Sequence, residues 1–123
     1  MKILVVDDEK DVQVLFEQRF RKEIREKEMV FVFAFSGEEA LTYMKDHEHE
    51  AVLILSDINM PGMSGLELLG HIKQKYVKPP PMVMMITAYG DAENFNTAKE
   101  LGADDFLTKP LDFNQLKEKL NTK

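Results

Sequence analysis

Residues 3–9 read Ile-Leu-Val-Val-Asp-Asp-Glu, four aliphatic side chains followed at once by three carboxylates. A short, continuously apolar run of this kind is typical of a central strand that is covered on both faces, as in parallel sheets flanked by helices. The carboxylates follow the carboxyl end of that strand, which is where open α/β sheets place their ligands. This stretch therefore predicts both a fold class and the position of a site.

The rest of the chain alternates short apolar runs with longer amphipathic stretches. The alternation predicts five βα units, and right-handed crossovers place the helices on both faces of an open parallel sheet. The later strands are predicted at residues 30–35, 51–56, 82–86 and 105–108. Helices are predicted from about residue 11, with Val12, Leu15, Phe16, Phe20 and Ile24 on one apolar face, then up to about residue 45, at 66–76, at 92–101 and after residue 112.

Local signals mark the ends of several elements. Ser36 and Glu39 have the spacing of a capping box at a helix start. Gly102 is placed to end a helix in the left-handed conformation, and Asp112 to cap the last helix. The Lys-Pro-Pro-Pro run at residues 78–81 predicts an extended connector, because proline cannot continue a helix. We expect residues 1–123 to form one domain.

The bulk composition excludes several classes of protein. The chain has 123 residues, no cysteine and a formal net charge of −6. The absence of cysteine excludes disulfides and thiolate metal sites, and it favours a cytoplasmic setting. The negative charge disfavours nucleic acid as a partner. No apolar run is long enough to span a membrane, and residues 1–10 lack a signal-peptide pattern, so no membrane association is expected.

Polar residues gather at four of the five predicted strand ends, where they would share one edge of the sheet. Crowded carboxylates need a cation to stay ionised, and oxygen ligands without cysteine or histidine favour Mg²⁺. A carboxylate, a divalent ion, a hydroxyl and a lysine are the groups that phosphoryl transfer requires. The residues are Asp7, Asp8 and Glu9, then Asp57 and Asn59, then Thr87, then Lys109.

Four segments together resemble the receiver domains of response regulators, in particular chemotaxis receivers, over the whole chain. They are residues 3–9, Asp-Ile-Asn-Met-Pro-Gly-Met-Ser-Gly at 57–65, Ile-Thr-Ala at 86–88, and Gly-Ala-Asp-Asp-Phe-Leu-Thr-Lys-Pro at 102–110. The resemblance implies a doubly wound, flavodoxin-like sheet of order 2-1-3-4-5. It also implies a two-component signalling protein that is not an enzyme in the usual sense, with slow self-catalysed dephosphorylation.

The same resemblance assigns roles to individual residues. Asp57 would accept a phosphoryl group from a sensor histidine kinase or a phosphotransfer protein. Asp8, Asp57 and the main-chain carbonyl of Asn59 would hold Mg²⁺, with Asp7 acting through water. Thr87 and Lys109 would contact the phosphoryl oxygens, and the signal would leave through the surface of the fourth helix, fifth strand and fifth helix.

Three smaller features bear on this resemblance. The Pro61-Gly62 pair predicts a tight turn after Asp57, and the Lys109-Pro110 bond matches a cis peptide of the family. Phe106 stands where many family members carry tyrosine, so the aromatic partner of Thr87 in the expected switch has no hydroxyl. Phe95, on the fourth predicted helix, is either core or a partner anchor.

Other functions use the same scaffold. A phosphatase of the haloacid-dehalogenase type needs a second aspartate two residues after the nucleophile, where this chain has Asn59. A flavodoxin would need a loop after the first strand rich in serine, threonine or glycine, whereas this loop is acidic and would repel a phosphate. A receiver that serves only as a phosphate relay or sink is an alternative. A receiver that serves only as a docking surface is disfavoured, because every reactive position is intact.

Overall fold

A computed structural model describes residues 1–47, 53–76, 81–88 and 90–121. Five parallel strands form one sheet in the order β2-β1-β3-β4-β5, which confirms the expected flavodoxin-like order. The strands are β1 (Lys2–Val6), β2 (Val30–Ala34), β3 (Leu53–Asp57), β4 (Met82–Thr87) and β5 (Asp105–Thr108). Residues 51–52, which begin the predicted third strand, lie outside the described residues.

Helices cover both faces of the sheet, as the right-handed crossovers require. They are α1 (Asp11–Arg19), α2 (Arg21–Arg25), α3 (Gly37–Asp46), α4 (Gly65–Lys75), α5 (Ala92–Glu100) and α6 (Phe113–Asn121). One apolar cluster lies between the sheet and α3, α4 and α5. The other lies between the sheet and α1, α2 and α6. The middle strand β3 is buried at every position.

The prediction of one continuous helix after β1 was wrong, because Phe20 separates α1 from α2. Phe20 has φ −110° and ψ 23°, outside helical geometry. Its ring is fully buried between Phe16 and Phe31, at centroid distances of 5.9 and 4.9 Å. Packing of this ring fixes the irregular residue, a tertiary effect that periodicity does not report. Leu15, expected on the buried face, is 45% exposed.

The capping predictions were partly correct. The Ser36 side chain accepts a hydrogen bond from the Glu39 amide at 3.0 Å, but the Glu39 carboxylate accepts from the amide of Phe35, at 3.2 Å. The complete capping box is formed instead by Ser64 and Glu67 at the start of α4.

Two other end signals were correct. Gly102 has φ 99°, and Asp112 accepts hydrogen bonds from two amides of the first turn of α6. The predicted connector at residues 78–81 lies mostly outside the described residues. Within the described part of the chain, no helix combines the length and the apolar character needed to cross a membrane.

Candidate functional site

Parallel strands bring the candidate residues to one edge of the sheet. In the pairing of β1 with β3, Val6 lies opposite Ser56, so the next residues along each strand, Asp7 and Asp57, are neighbours. Asp57 is the last residue of β3, and Lys109 follows β5 directly. The sheet topology alone therefore assembles side chains that are far apart in sequence.

Three carboxylates converge at this edge. Asp7, Asp8 and Asp57 each place an oxygen within 4.8 Å of the others. Asp57 is 2% exposed and Asp7 is 7% exposed, whereas Asp8 lies at the surface. The cluster is thus accessible to solvent from the side of Asp8 and closed on the side of the sheet.

The Asp57 carboxylate is held by two contacts. Its Oδ2 atom lies 2.7 Å from the Nζ atom of Lys109, and its Oδ1 atom accepts a hydrogen bond from the Ile58 amide at 2.8 Å. Burial by itself would lower the pKa of Lys109, but the hydrogen bond and the negative charge of Asp57 raise that pKa overall. The ammonium is therefore charged at neutral pH and fixed on the carboxylate.

Asp7 is in a less favourable environment for a carboxylate. Burial raises its pKa above the usual value, and the nearby charge of Asp57 adds to this rise. A hydrogen bond from the Glu9 amide to Oδ1, at 2.9 Å, and the charge of Lys109 act in the opposite direction without cancelling it. The site thus holds more negative charge than its own cation balances.

The residues present fit a divalent cation of the hard type. Three carboxylates face one ammonium, and the metal-ligating side chains at this edge offer oxygen alone. Carboxylate oxygens are the ligands that Mg²⁺ takes in proteins. A bound cation would also favour the ionised form of Asp7, which burial disfavours.

Close packing of α4 fixes the loop that follows Asp57. The amide of Gly65 donates to the carbonyl of Ile58 at 2.8 Å. A Cβ atom on Gly65 would collide with the Asp57 carbonyl oxygen and lie 2.7 Å from the Ile58 Cα atom. Only glycine fits at this approach, a role that the sequence analysis did not assign.

Two other predicted residues of this loop, Asn59 and Gly62, lie at the surface. Gly62 has φ 73°, in keeping with the predicted turn, and Asn59 is exposed two residues after the end of β3.

Thr87 and Phe106 lie on the side of β5. The Thr87 hydroxyl is buried and lies 3.5 Å from the Leu107 carbonyl oxygen, at the limit of a hydrogen bond. The carbonyl of Thr87 accepts from the Lys109 amide at 2.9 Å, which joins the ends of β4 and β5. The Lys109–Pro110 bond is cis. The ring of Phe106 packs on Phe95, at a centroid distance of 4.3 Å.

The described histidines lie away from the acidic edge. His47 stacks on Tyr43 near the end of α3, with ring centroids 4.2 Å apart, and His71 is exposed on α4. His49 lies outside the described residues.

Several solved structures have the same architecture as this chain. The receiver domain of NtrX from Brucella abortus is 31% identical, with 98% of this chain and 95% of that chain covered and a TM-score of 0.80. A response regulator receiver protein from Pseudomonas putida is 26% identical, with 99% and 96% covered and a TM-score of 0.84. The chemotaxis protein CheY4 of Vibrio cholerae is 25% identical, with 98% and 96% covered and a TM-score of 0.81.

A further similar chain comes from a complex. It belongs to the co-crystal structure of the Saccharomyces cerevisiae histidine phosphotransfer signaling protein Ypd1 with the receiver domain of its downstream response regulator Ssk1. The chain from the complex is 25% identical to this protein, with a TM-score of 0.83. The alignment covers 97% of this protein and 85% of the chain from the complex.

The family model for the response regulator receiver domain matches residues 3–121, nearly the whole chain. The match includes every residue of the acidic edge as well as Thr87, Phe106 and Lys109. Together with the strand order and the structural neighbours, it shows that this protein belongs to the response regulator receiver family of two-component signalling domains.

Proposed function

We propose that residues 1–123 form a single phosphoacceptor domain in which Asp57 receives a phosphoryl group and changes the affinity of the protein for a partner. The observation that carries this proposal is the geometry of Asp57: a buried carboxylate paired with Lys109 at 2.7 Å and flanked by two more carboxylates. Such an arrangement supplies a nucleophile together with a fixed positive charge next to it.

The proposed reaction is a displacement at the phosphorus atom of the donor. An oxygen of Asp57 forms a bond to phosphorus while the bond from phosphorus to a histidine nitrogen of the donor breaks. The imidazole leaves with the bonding electrons. The ammonium of Lys109 compensates charge on the phosphoryl oxygens, and the Thr87 hydroxyl turns from Leu107 to donate to one of them. Slow hydrolysis by water would return the carboxylate and free phosphate.

Asp8, Asp57 and the Asn59 carbonyl would hold Mg²⁺, with Asp7 supporting it through water. A bound Mg²⁺ supplies compensation for negative charge on the phosphoryl oxygens. Asp7 raises the local negative potential that attracts the ion, and the exposed position of Asp8 leaves a path for its entry.

The donor is a sensor histidine kinase or a histidine phosphotransfer protein. The similar chain crystallised in a complex with such a phosphotransfer protein supports this class of partner. The output is a downstream protein or domain that contacts the surface formed by α5, β5 and α6. Because the phosphoryl group binds the two states of the domain differently, it shifts their populations.

The proposal is tested by phosphorylation in vitro. Incubation with acetyl phosphate and Mg²⁺ should add one phosphoryl mass that hydroxylamine removes. Asp57→Asn should abolish the addition, whereas Asp46→Asn, which changes an exposed carboxylate on α3, should leave it intact. Stoichiometric labelling of the Asp57→Asn protein would contradict the assignment.

The enzyme alternative predicts a different result. A haloacid-dehalogenase-type phosphatase would release phosphate from a phosphomonoester over many turnovers. Asn59 lies two residues after Asp57 and cannot take part as an acid, so we expect no such turnover. A relay or sink receiver would be phosphorylated normally without any change in the α5, β5 and α6 surface.

A further inference from the structure

Strand β2 lies at one edge of the sheet, and in the described part of the chain no strand pairs with its outer side. The Val30 amide donates to the carbonyl of Met1 at 2.8 Å, so Val30 directs its main-chain groups toward β1. Because these directions alternate along a strand, Phe31 and Phe33 direct their N–H and C=O groups away from β1. The outer side of β2 is therefore an open template for another strand.

This strand lacks the features by which proteins usually protect an edge. Its sequence is Val-Phe-Val-Phe-Ala, without a charge, a proline or a glycine, and it pairs with β1 at every position without a bulge. The other edge strand, β5, is different, because its Asp105 carboxylate accepts two contacts from the Lys119 ammonium, each at 3.0 Å. Since regular and apolar edges pair readily with another extended chain, β2 is the edge that is open to an added strand.

An open groove of about 450 Å³ lies between β2 and α3. Residues 33 and 34 of the strand belong to one wall. Tyr43 and His47, whose rings stack at a centroid distance of 4.2 Å, belong to the other wall. A segment added to β2 would place every second side chain on the α3 side, next to this groove.

Carboxylates dominate the charge of the groove. Glu38, Glu39 and Asp46 line it, and all three residues are exposed. The Lys2 ammonium lies 5.8 Å from the centroid of the Tyr43 ring, so a cation from β1 offsets part of this charge. The side chains that complement the groove are therefore basic.

A second copy of this chain fits the edge less well. Antiparallel pairing of β2 with β2 of another molecule would place both α3 helices on the same face of the joined sheet. The two acidic grooves would then lie side by side, and each chain carries a net charge of −6. Because like charges so placed oppose association, the edge favours a partner of opposite charge.

We infer that the outer side of β2, together with the groove along α3, binds an extended segment of a partner protein that carries basic side chains at alternate positions. Main-chain hydrogen bonds to Phe31 and Phe33 give affinity, and the carboxylates of the groove select lysine or arginine. The other side chains of the segment lie on the face of the Phe31 and Phe33 rings, which are partly buried and favour apolar neighbours. This binding needs no phosphoryl group on Asp57, so it is independent of the proposed function.

The probe is a synthetic peptide of about seven residues in which lysine and valine alternate, with both ends blocked. Its binding to the full chain is followed by nuclear magnetic resonance, through the amide signals of Phe31 and Phe33. These amides should shift and should exchange with solvent more slowly, because they gain hydrogen bonds. A peptide with glutamate in place of lysine should not bind. A peptide of the same composition with all its lysines grouped together keeps the charge but loses the alternation, so it should bind more weakly.

The carboxylates of the groove are tested by the double variant Glu38→Gln, Asp46→Asn. Its matched control is Glu93→Gln, Glu100→Gln, which removes two exposed carboxylates from α5. Loss of two exposed ion pairs should weaken binding of the lysine peptide about two- to thirtyfold in the first variant. The control should bind the peptide as the wild type does.

Equal weakening by the two double variants would mean that net charge alone attracts the peptide, and it would overturn the inference. Peptide binding that leaves the amides of Phe31 and Phe33 unchanged would overturn it as well. Sedimentation of the protein alone tests the other occupant. A dimer whose formation shifts the same two amides would identify a second copy as the partner of this edge and would contradict the inference.

Discussion

Lys109 Nζ lies 2.7 Å from Oδ2 of Asp57, although the two residues are 52 positions apart in the chain. The carboxylate is 3% exposed at its side chain and the lysine side chain 41%. The Asp57 carboxylate is therefore buried, while the Lys109 side chain is open to solvent. Among the described residues of this edge, the ammonium of Lys109 and the exposed Asp8 lie on the solvent side of Asp57.

Lys109→Met should lower the free energy of unfolding in metal-free protein by about 1–3 kcal/mol, since the buried Asp57 then lacks its ionic partner. The exposure of Lys109 favours the lower end of this range. Because the pKa of Lys109 is raised, its contribution is fully present at neutral pH and is lost as the pH rises through that raised pKa. Urea unfolding at pH 7 checks the effect.

The same variant should be phosphorylated by acetyl phosphate about tenfold more slowly or worse, because it lacks one charge-assisted contact to the phosphoryl group. Lys119→Met serves as the control, since Lys119 bonds Asp105 on another part of the surface. Equal phosphorylation rates in the wild type and Lys109→Met would exclude a role for the ammonium in the reaction.

Asp8→Asn should weaken Mg²⁺ binding more than Asp7→Asn, because the proposed contact of Asp7 passes through water. Loss of an indirect partner commonly lowers metal affinity about ten- to a hundredfold. We therefore expect Asp7→Asn to lower the Mg²⁺ affinity by about tenfold, and Asp8→Asn to lower it further. Isothermal titration measures both. Glu9→Gln is the control, because it removes one exposed carboxylate next to the cluster. If Glu9→Gln lowered the Mg²⁺ affinity as much as Asp8→Asn, the effect would come from net charge and not from a direct contact of Asp8.

Asp7 should make metal-free protein less stable as the pH rises. Its pKa is raised in the folded state by burial, so the folded state binds the proton more tightly than the unfolded chain does. The free energy of unfolding therefore falls between the ordinary aspartate pKa of about 3.9 and the raised value. Asp7→Asn should remove this fall and be the more stable protein at neutral pH.

Urea unfolding across that pH range, with a chelator present, compares the two proteins. Added Mg²⁺ should narrow their difference, because a cation favours the ionised carboxylate. A difference in stability that does not vary with pH would show that Asp7 titrates normally.

Gly65→Ala should destabilise the protein by about 1–3 kcal/mol, because its Cβ atom collides with the Asp57 main chain. Gly70→Ala is a matched change in the same helix, where the new Cβ meets one Leu101 atom at 4.0 Å. That change should stabilise the protein by up to about 1 kcal/mol, since alanine favours the helix. Thermal unfolding of both variants measures these changes, and the Mg²⁺ affinity is measured alongside. Equal changes in the stability of the two variants would contradict the packing argument.

Beryllofluoride with Mg²⁺ should alter hydrogen exchange in residues 87–113, which include α5 and β5. The helices α1 and α2 pack on the opposite face of the sheet and should change little. Mass spectrometry of peptides from both regions measures this. Changes confined to the loop after Asp57 would point to a relay or sink without a transmitted switch.

The sheet and the acidic edge were predictable because both depend on strand order and on strand ends. Apolar runs mark the strands, and parallel pairing brings Asp7, Asp57 and Lys109 to one edge whatever the side-chain packing is. The break at Phe20 could not be predicted, since it depends on how its ring packs between Phe16 and Phe31.

The contact of Phe95 with Phe106 could not be predicted either, because it also depends on side-chain packing. Sequence spacing left Phe95 open between core and surface, because its neighbours depend on how α5 is rotated against β5. In the structure it is partly exposed and also covers another side chain. Capping shows the same limit: the spacing of Ser36 and Glu39 correctly indicated the hydrogen bond from the Glu39 amide to Ser36, but the Glu39 carboxylate accepts from Phe35 instead of completing the box.

The acidic edge draws its groups from β1, β3 and β5, so no fragment of the chain contains the complete site. A cation or phosphoryl mimic bound there recognises the folded sheet and not the unfolded chain. By mass action, such a ligand therefore stabilises the whole domain. At a ligand concentration of a hundred times the dissociation constant, the free energy of unfolding rises by about 2.7 kcal/mol. With such a ligand bound, the protein would therefore resist unfolding and proteolysis longer than the free protein does.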